Sequence, residues 1–273
     1  MTKSQEYPLG YSEDEARRLA EQAAMLEELT VDAFRRAGIE RGMQVLDIGC
    51  GVGDVSFLAA SMVGTEGSVL GIDRSASSVE TARVRASSRE VHNVFFAKSE
   101  LAAFETDRMF DAMIGRLVLL YVPEPAAVLR RLSRYVKPGG IIAFQEFDIS
   151  QLSQCPPSEL FEQMRKRIQT ALITSSTELD MGTKLYSTFL LAGLPAPTMN
   201  AVAPVGGGPK WYGYDYMVGV LRSLLPLIER SGIANESEIG IATLAKRLLD
   251  DAVSNQRVNF LPRLVGAWTR IGQ

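Results

Sequence analysis

The chain has 273 residues, 46% hydrophobic and 22% charged, with 32 acidic against 29 basic side chains and a net charge of −3. That length accommodates one large α/β domain, or one with an insertion, whose core needs neither disulfide nor metal, and the composition is that of a folded protein rather than a disordered one. No stretch reaches the roughly 18 uninterrupted apolar residues of a membrane span, the basic side chains form no stripe for a phosphate backbone, and the two cysteines, Cys50 and Cys155, stand far apart and outside any CxxC pair. A membrane span, nucleic-acid binding and a structural metal are therefore not expected, and a cytoplasmic location is.

Ser12 followed by Glu15 is a capping-box pattern, and Leu19, Ala23, Leu26 and Ala33 recur at helical spacing, which predicts an N-terminal helix to about Ala37. From Gln44 to Phe147 short apolar runs alternate with helical patterns. The runs are 45–48, 69–72, 94–97, 110–115 and 141–147, apolar at nearly every position, as expected for strands covered by helices on both faces. Lys137-Pro138-Gly139-Gly140 predicts a turn into the fifth strand. Beyond it helices are expected at 157–175, 182–192, 214–231 and 237–254, a strand opened by Gly193-Leu194-Pro195-Ala196-Pro197 and running to Val202, and a last apolar run at 264–271 that returns as an edge strand. The predicted fold class is α/β: a Rossmann-like, doubly wound, mostly parallel sheet with a helical cap. Its expected parts are a helical lid over 1–38, the core over 39–150, and a cap over 151–273 that also returns strands to the sheet.

The segment Val45-Leu46-Asp47-Ile48-Gly49-Cys50-Gly51-Val52-Gly53-Asp54 carries an apolar strand into a run of small residues, at the strand end where open α/β sheets bind ligands. Glycines at 49, 51 and 53 let a ligand approach the backbone and permit positive φ. A dinucleotide fingerprint, GxGxxG, would have its third glycine at position 54, where this chain has aspartate. That carboxylate and Asp47 disfavour a pyrophosphate and suit a phosphate-free, cationic ligand. Asp54 can equally be a solvated helix-start acid. Asp73 ends the second strand, 22 residues after Gly51, the place for an acid that accepts ribose hydroxyls.

VLDIGCGVGD, GID at 71–73, Ser99-Glu100-Leu101 after the third strand, FDA at 110–112 and KPGG at 137–140 together resemble class I S-adenosylmethionine-dependent methyltransferases, over about residues 30–150. Within that family the chain is similar to the small-molecule enzymes of the ubiquinone/menaquinone C-methyltransferase kind. The resemblance implies S-adenosylmethionine as cofactor, with Gly49 and Gly51 beside its methionine moiety, Asp73 on its ribose, and Glu100 with Leu101 at its adenine edge. The family usually has Gly-Asp where this chain has Ser99-Glu100. The chain has Gly115-Arg116-Leu117-Val118 where amino-directed members carry an Asn/Asp-Pro-Pro-Tyr tetrapeptide, which makes exocyclic amino groups poor candidates for the acceptor. The expected cofactor set is Asp47, Gly49, Gly51, Asp73, Arg74, Ser99, Glu100, Leu101, Arg116 and Leu117, with Tyr11 and Gln22 as lid residues.

Arg116, Tyr121, Glu146 and Asp148 are the catalytic candidates; the two carboxyls could take a proton if burial raised their pKa. His92, the only histidine, precedes the third strand at the edge opposite the ligand, so a histidine base or a Ser–His–Asp triad is hard to build. Trp211, Tyr212, Tyr214 and Tyr216 follow a triple glycine and are expected in the core or as the lining of an acceptor pocket. The expected reaction is in-line methyl transfer to the oxygen or carbon of a small molecule. The competing readings are an NAD(P)-dependent oxidoreductase and a protein that keeps the cofactor fold without methylating, and a homodimer stays open as the oligomeric state.

Overall fold

The computed structural model describes residues 7–10 and 13–272, the side chains of 13, 14, 16 and 17 excepted; Tyr11 and Ser12 lie outside the described residues. In chain order the first elements are α1 (Glu13–Ala37), β1 (Gln44–Ile48), α2 (Asp54–Val63), β2 (Ser68–Asp73), α3 (Ala76–Ser88), β3 (Val94–Lys98), β4 (Phe110–Arg116) and α4 (Pro125–Leu132). They continue with β5 (Val136–Asp148), β6 (Ser153–Cys155), α5 (Glu159–Thr174), α6 (Met181–Leu191), β7 (Thr198–Val202) and β8 (Val205–Gly206). The last are α7 (Gly213–Arg230), α8 (Glu236–Ile239), α9 (Ile241–Ser254), β9 (Val258–Phe260) and β10 (Arg263–Arg270). These elements form two units, one of Leu26–Glu146, Gly182–Ala201 and Val265–Gln273, the other of Met1–Met25, Phe147–Met181 and Val202–Leu264.

The first unit is built on a seven-stranded sheet of order β3-β2-β1-β4-β5-β10-β7. β1 runs parallel to β2 and β4, β2 to β3, and β4 to β5, so the fold is α/β and Rossmann-like. Val45, Leu46, Ile48, Ile114 and Ile142 are fully buried because helices cover both faces, the reason these strands read as unbroken apolar runs. The strand order reverses between β1 and β4, and ligands of open α/β sheets bind outside the carboxyl ends of strands at such a switch point. Leu26, Thr30, Ala33, Phe34 and Ala37 of α1 are buried at helical spacing in this unit.

Two sequence expectations change here. Lys137–Gly140 is not a turn before β5 but part of it: the pairing with β4 moves from Phe110↔Val136 to Ala112↔Ile141, and the extra residues bulge out of the ladder. Gly139 N donates to Ile271 O at 3.2 Å and Ile271 N to Gly140 O at 2.9 Å. The start of β5 thus lies against the end of β10, so these two strands run in opposite directions. The final apolar run, expected at the edge, lies between β5 and β7, and β7 is the edge strand.

In the second unit α7 packs on α5 and α9 through a stripe of buried residues, Tyr214, Met217, Val218, Leu221, Leu224 and Ile228. The helix expected over 237–254 breaks at Gly240 into α8 and α9, and α8 opens with a capping box in which Asn235 and Glu238 bond each other's backbone amides. β6, β9 and β8 form a small antiparallel sheet in that order. Among the described residues no helix is long and apolar enough to cross a membrane. No group of three or more His, Cys, Asp or Glu among them is placed to hold a metal ion.

Candidate functional site

The glycine loop leaves β1 at the switch point and turns into α2. Its backbone is tied to the end of β2: Cys50 N donates to Ile72 O at 3.0 Å, and Gly51 N donates to Asp73 Oδ2 at 2.9 Å. The other oxygen, Oδ1 of Asp73, accepts from Ser75 N at 2.8 Å, and the Asp73 carbonyl accepts from Ser99 N at 2.8 Å. One residue therefore fixes the loops after β1, β2 and β3 relative to one another, its carboxylate holding the first two and its backbone carbonyl the third. Each of the carboxylate oxygens retains a lone pair for a ligand hydroxyl.

Gly49 and Gly51, both at positive φ of +67° and +52°, serve different needs. A Cβ on Gly49 would lie 2.3 Å from Val118 Cγ2, so the missing side chain makes room for the loop after β4. A Cβ on Gly51 would meet nothing within 4 Å, so that face of the loop is open. Asp54, at the start of α2, is bound by Arg85, NH2 to Oδ1 at 2.6 Å, while NH1 of the same arginine donates to Val52 O at 2.5 Å. Asp54 is thus engaged in holding α3 to the loop. Asp47 is 1% exposed and accepts from Ser56 Oγ at 2.5 Å. Burial pushes its carboxyl up to about 7, against the pull of the Ser56 hydroxyl and the Arg116 charge.

The loop after β4 is held by Glu146, fully buried near the end of β5. Its Oε1 accepts from Val118 N at 3.0 Å and Leu119 N at 2.8 Å, and its Oε2 from Leu120 N at 3.4 Å. Burial pushes this carboxyl up to about 8, and the three amides, which favour the charged form, oppose the shift. Leu117, just before the anchored turn, sits at φ +57°, a conformation uncommon for a non-glycine residue. Leu117 N donates to Gln145 O at 2.8 Å, and Arg116 NH1 donates to Thr30 Oγ1 at 2.9 Å. Tyr121 is half-buried and closes the turn through its amide on Val118 O at 3.1 Å.

Asp47, Gly49, Gly51, Asp73, Arg74, Ser99, Glu100, Leu101, Arg116 and Leu117 thus all stand on the carboxyl ends of β1 to β4 or the loops leaving them, where Glu100 is exposed and Arg74 and Leu101 half-buried. Glu146 joins them from β5, a part that sequence spacing does not reveal because its partners are backbone amides 26 to 28 residues away. His92 is exposed two residues before β3, at the opposite edge. The remaining candidates lie in the second unit. Gln22 Oε1 accepts from Arg18 NH1 and from Tyr216 OH, both at 2.8 Å, and Arg18 grips Glu15 with two bonds of 2.7 Å. Asp148, 1% exposed, is paired with Arg263 at 2.6 Å. Trp211 stands edge-on to Tyr214, their ring centroids 5.0 Å apart.

The sequence profile of a family described as methyltransferase domain matches residues 39–193, more than half of the chain. A demethylmenaquinone methyltransferase of Geobacillus stearothermophilus is 32% identical over 111 residues, 40% of this chain and 47% of the relative. A ubiquinone biosynthesis O-methyltransferase of Alkalilimnicola ehrlichii is 37% identical over 126 residues, 45% of this chain and 47% of the relative. The chain spans about half the length of the curated relatives it matches. Among solved structures, a phosphoethanolamine N-methyltransferase of Haemonchus contortus superposes with a TM-score of 0.56 at 17% identity, over 90% of this chain and 53% of that one, a likeness of fold. With more than half its length matched by the profile, this chain belongs to the methyltransferase domain family.

Proposed function

We propose that this protein is an S-adenosylmethionine-dependent methyltransferase that modifies a small molecule, at oxygen or carbon. The observation that carries this reading is the state of the loop after β1. The Gly51 amide, which in a dinucleotide-binding loop would meet a phosphate, donates to the Asp73 carboxylate, and position 54, where such a loop has its third glycine, carries an acid held by Arg85. Such a loop suits a ligand without phosphate, because the amide that would bind one is already taken by Asp73. The open face at Gly51 leaves the space that such a ligand needs.

In this reading Asp73 accepts the ribose hydroxyls with its remaining lone pairs, Glu100 and Leu101 meet the adenine edge, and Gly49, Gly51 and Arg116 border the methionine end. The cofactor, when bound, supplies a methyl group on positively charged sulfur, ready for in-line displacement by the acceptor. The residues of the chain contribute alignment and exclusion of water rather than proton transfer. Glu146 is occupied by three amides and Asp148 by Arg263, so neither carboxylate is poised as a base. An acceptor acidic enough to ionise with little help, a phenol or an enol, fits that arrangement. Residues 39–150 form the cofactor core in this proposal, the residues outside it serve acceptor recognition, and the protein works in the cytoplasm without nucleic acid.

The test is incubation with labelled S-adenosylmethionine and a panel of phenolic, quinonoid and amine acceptors, read for S-adenosylhomocysteine. Turnover with a phenolic or quinonoid acceptor is expected. Tight S-adenosylhomocysteine binding with silence across a broad panel would point to a protein that uses the fold without methylating, and a response to NAD(H) alone would point to an oxidoreductase.

A further inference from the structure

The buried face of the small sheet in the second unit is built from amides where apolar residues would be expected. In the ladder Gln154 and Gly206 both stand opposite Asn259, which puts the Gln154 and Asn259 side chains on one face. On the other face Ser153, Cys155, Val205, Val258 and Phe260 are exposed. Gln154 is 6% exposed, Asn259 fully buried and Tyr214, on α7, 2% exposed. The Trp211 indole lies flush on Gly206, where a Cβ would fall 2.1 Å from its Cδ1, and Tyr214 stands edge-on to that indole.

The orientation of both amides is fixed. Asn259 Nδ2 donates to Gly206 O at 3.3 Å, so its Oδ1 points to Gln154 and accepts from Nε2 at 2.9 Å. That leaves Gln154 Oε1 without a hydrogen-bond partner, and the Tyr214 hydroxyl beside Asn259 has none of good geometry either. Burial pushes the Tyr214 phenol above its ordinary value, and the Asn259 amide opposes the shift. Buried polar atoms are nearly always paired, so an acceptor and a hydroxyl orphaned around one amide call for a ligand group that satisfies both. That group must donate to Gln154 Oε1 and accept from Tyr214 OH, which a hydroxyl does. Arg257, next to β9, is held by Asp251 at 3.1 Å and by Pro156 O and Pro157 O at 2.9 and 2.8 Å, so it is not poised for an anion.

We infer that Gln154, Asn259 and Tyr214 form a recognition site for a neutral hydroxyl on a flat ring, with Trp211 as its aromatic wall. The inference rests on the proposed methyl transfer in taking that ring to be the acceptor or part of it. The 273-residue chain is titrated with phenol and with anisole, which differ in the hydroxyl proton, by ligand-observed NMR. S-adenosylhomocysteine is titrated into the same samples. Wild type is expected to prefer phenol by at least about fivefold. Tyr214→Phe is expected to keep or raise the melting temperature, since it removes an orphaned hydroxyl, while the preference falls below about twofold and S-adenosylhomocysteine binding is unchanged. Gln154→Met, of similar length, is expected to lose the preference too. An equal response of wild type to phenol and anisole, or a preference that survives both substitutions, overturns the inference. So does a Tyr214→Phe protein that melts earlier, the signature of an internal water only. Absence of S-adenosylhomocysteine binding with the phenol preference intact would sink the proposed activity and leave this site standing.

Discussion

Glu146 offers a test of how the strand-end loops are held. Replacing it with alanine strips the acceptor from three backbone amides, those of Leu119 and Leu120 in buried residues and that of Val118 in a half-buried one. The bonds from Val118 and Leu119, at 3.0 and 2.8 Å, are well formed, and the one from Leu120 is long at 3.4 Å. A buried donor left unsatisfied costs about 1–3 kcal/mol, so two good bonds set a loss of about 2–6 kcal/mol, a large part of the roughly 5–15 kcal/mol that holds a typical domain. Glutamine is milder. Its carbonyl takes the place of Oε1 and keeps both short bonds, while its NH2 faces only the long one, for a cost of about 1 kcal/mol. Urea denaturation followed by circular dichroism measures the series, and calorimetric titration with S-adenosylhomocysteine should lose affinity in the same order, because the anchored turn carries Val118 against Gly49. An alanine variant less than about 1 kcal/mol below wild type, or one no worse than glutamine, would refute the reasoning.

The same residue gives a pH dependence. Burial raises its carboxyl from 4.5 to about 8, so between those values the folded state holds a proton that the unfolded state has lost, and stability falls as pH rises through that window. The stability of wild type relative to Glu146→Gln should therefore fall from pH 5 to pH 8, at no more than about 1.4 kcal/mol per unit, so that its advantage of about 1 kcal/mol reverses within that range. Asp47, raised to about 7, acts in the same sense but is present in both proteins and cancels; a constant difference would contradict the burial argument. Asp73→Ala removes the acceptor of two amides and of the proposed ribose contacts, and should weaken S-adenosylhomocysteine binding by about 1.5–3 kcal/mol or more in calorimetry; unchanged affinity would undo the ribose assignment. Gly49→Ala and Gly51→Ala both strain a left-handed backbone by about 1–2 kcal/mol. Only the first also clashes with Val118, so it should melt lower, whereas Gly51→Ala should lose more cofactor affinity relative to its stability loss.

Much of the first unit is legible because β1, β4 and β5 are buried on both faces; the five parallel strands read as apolar runs whose ends fall within a residue or two, β5 excepted, although edge strand β3 leaves Phe95 exposed. The start of β5 is not legible because a proline–glycine turn signal and a bulge look alike in sequence, and the β4 register and the bonds to Ile271 tell them apart. The final apolar run reads as a strand, but its place between β5 and β7 rather than at the edge is decided by tertiary pairing. The sheet of β6, β8 and β9 left no signal, because strands of two or three residues show no period. In the site, glycine spacing and Asp73 point to the loop directly. The pairing of Asp54 with Arg85 across 31 residues and the grip of Glu146 on three amides depend on which strand ends lie side by side.

The central claim is that the loop joining Gly51 to Asp73 receives a phosphate-free cofactor. Calorimetric titration of the purified chain with S-adenosylmethionine, S-adenosylhomocysteine and NADH tests it most directly. Saturable binding of the first two at one site, weakened by about tenfold or more in Asp73→Ala, with no heat from NADH, is the predicted result; binding of NADH without either of the others would contradict it.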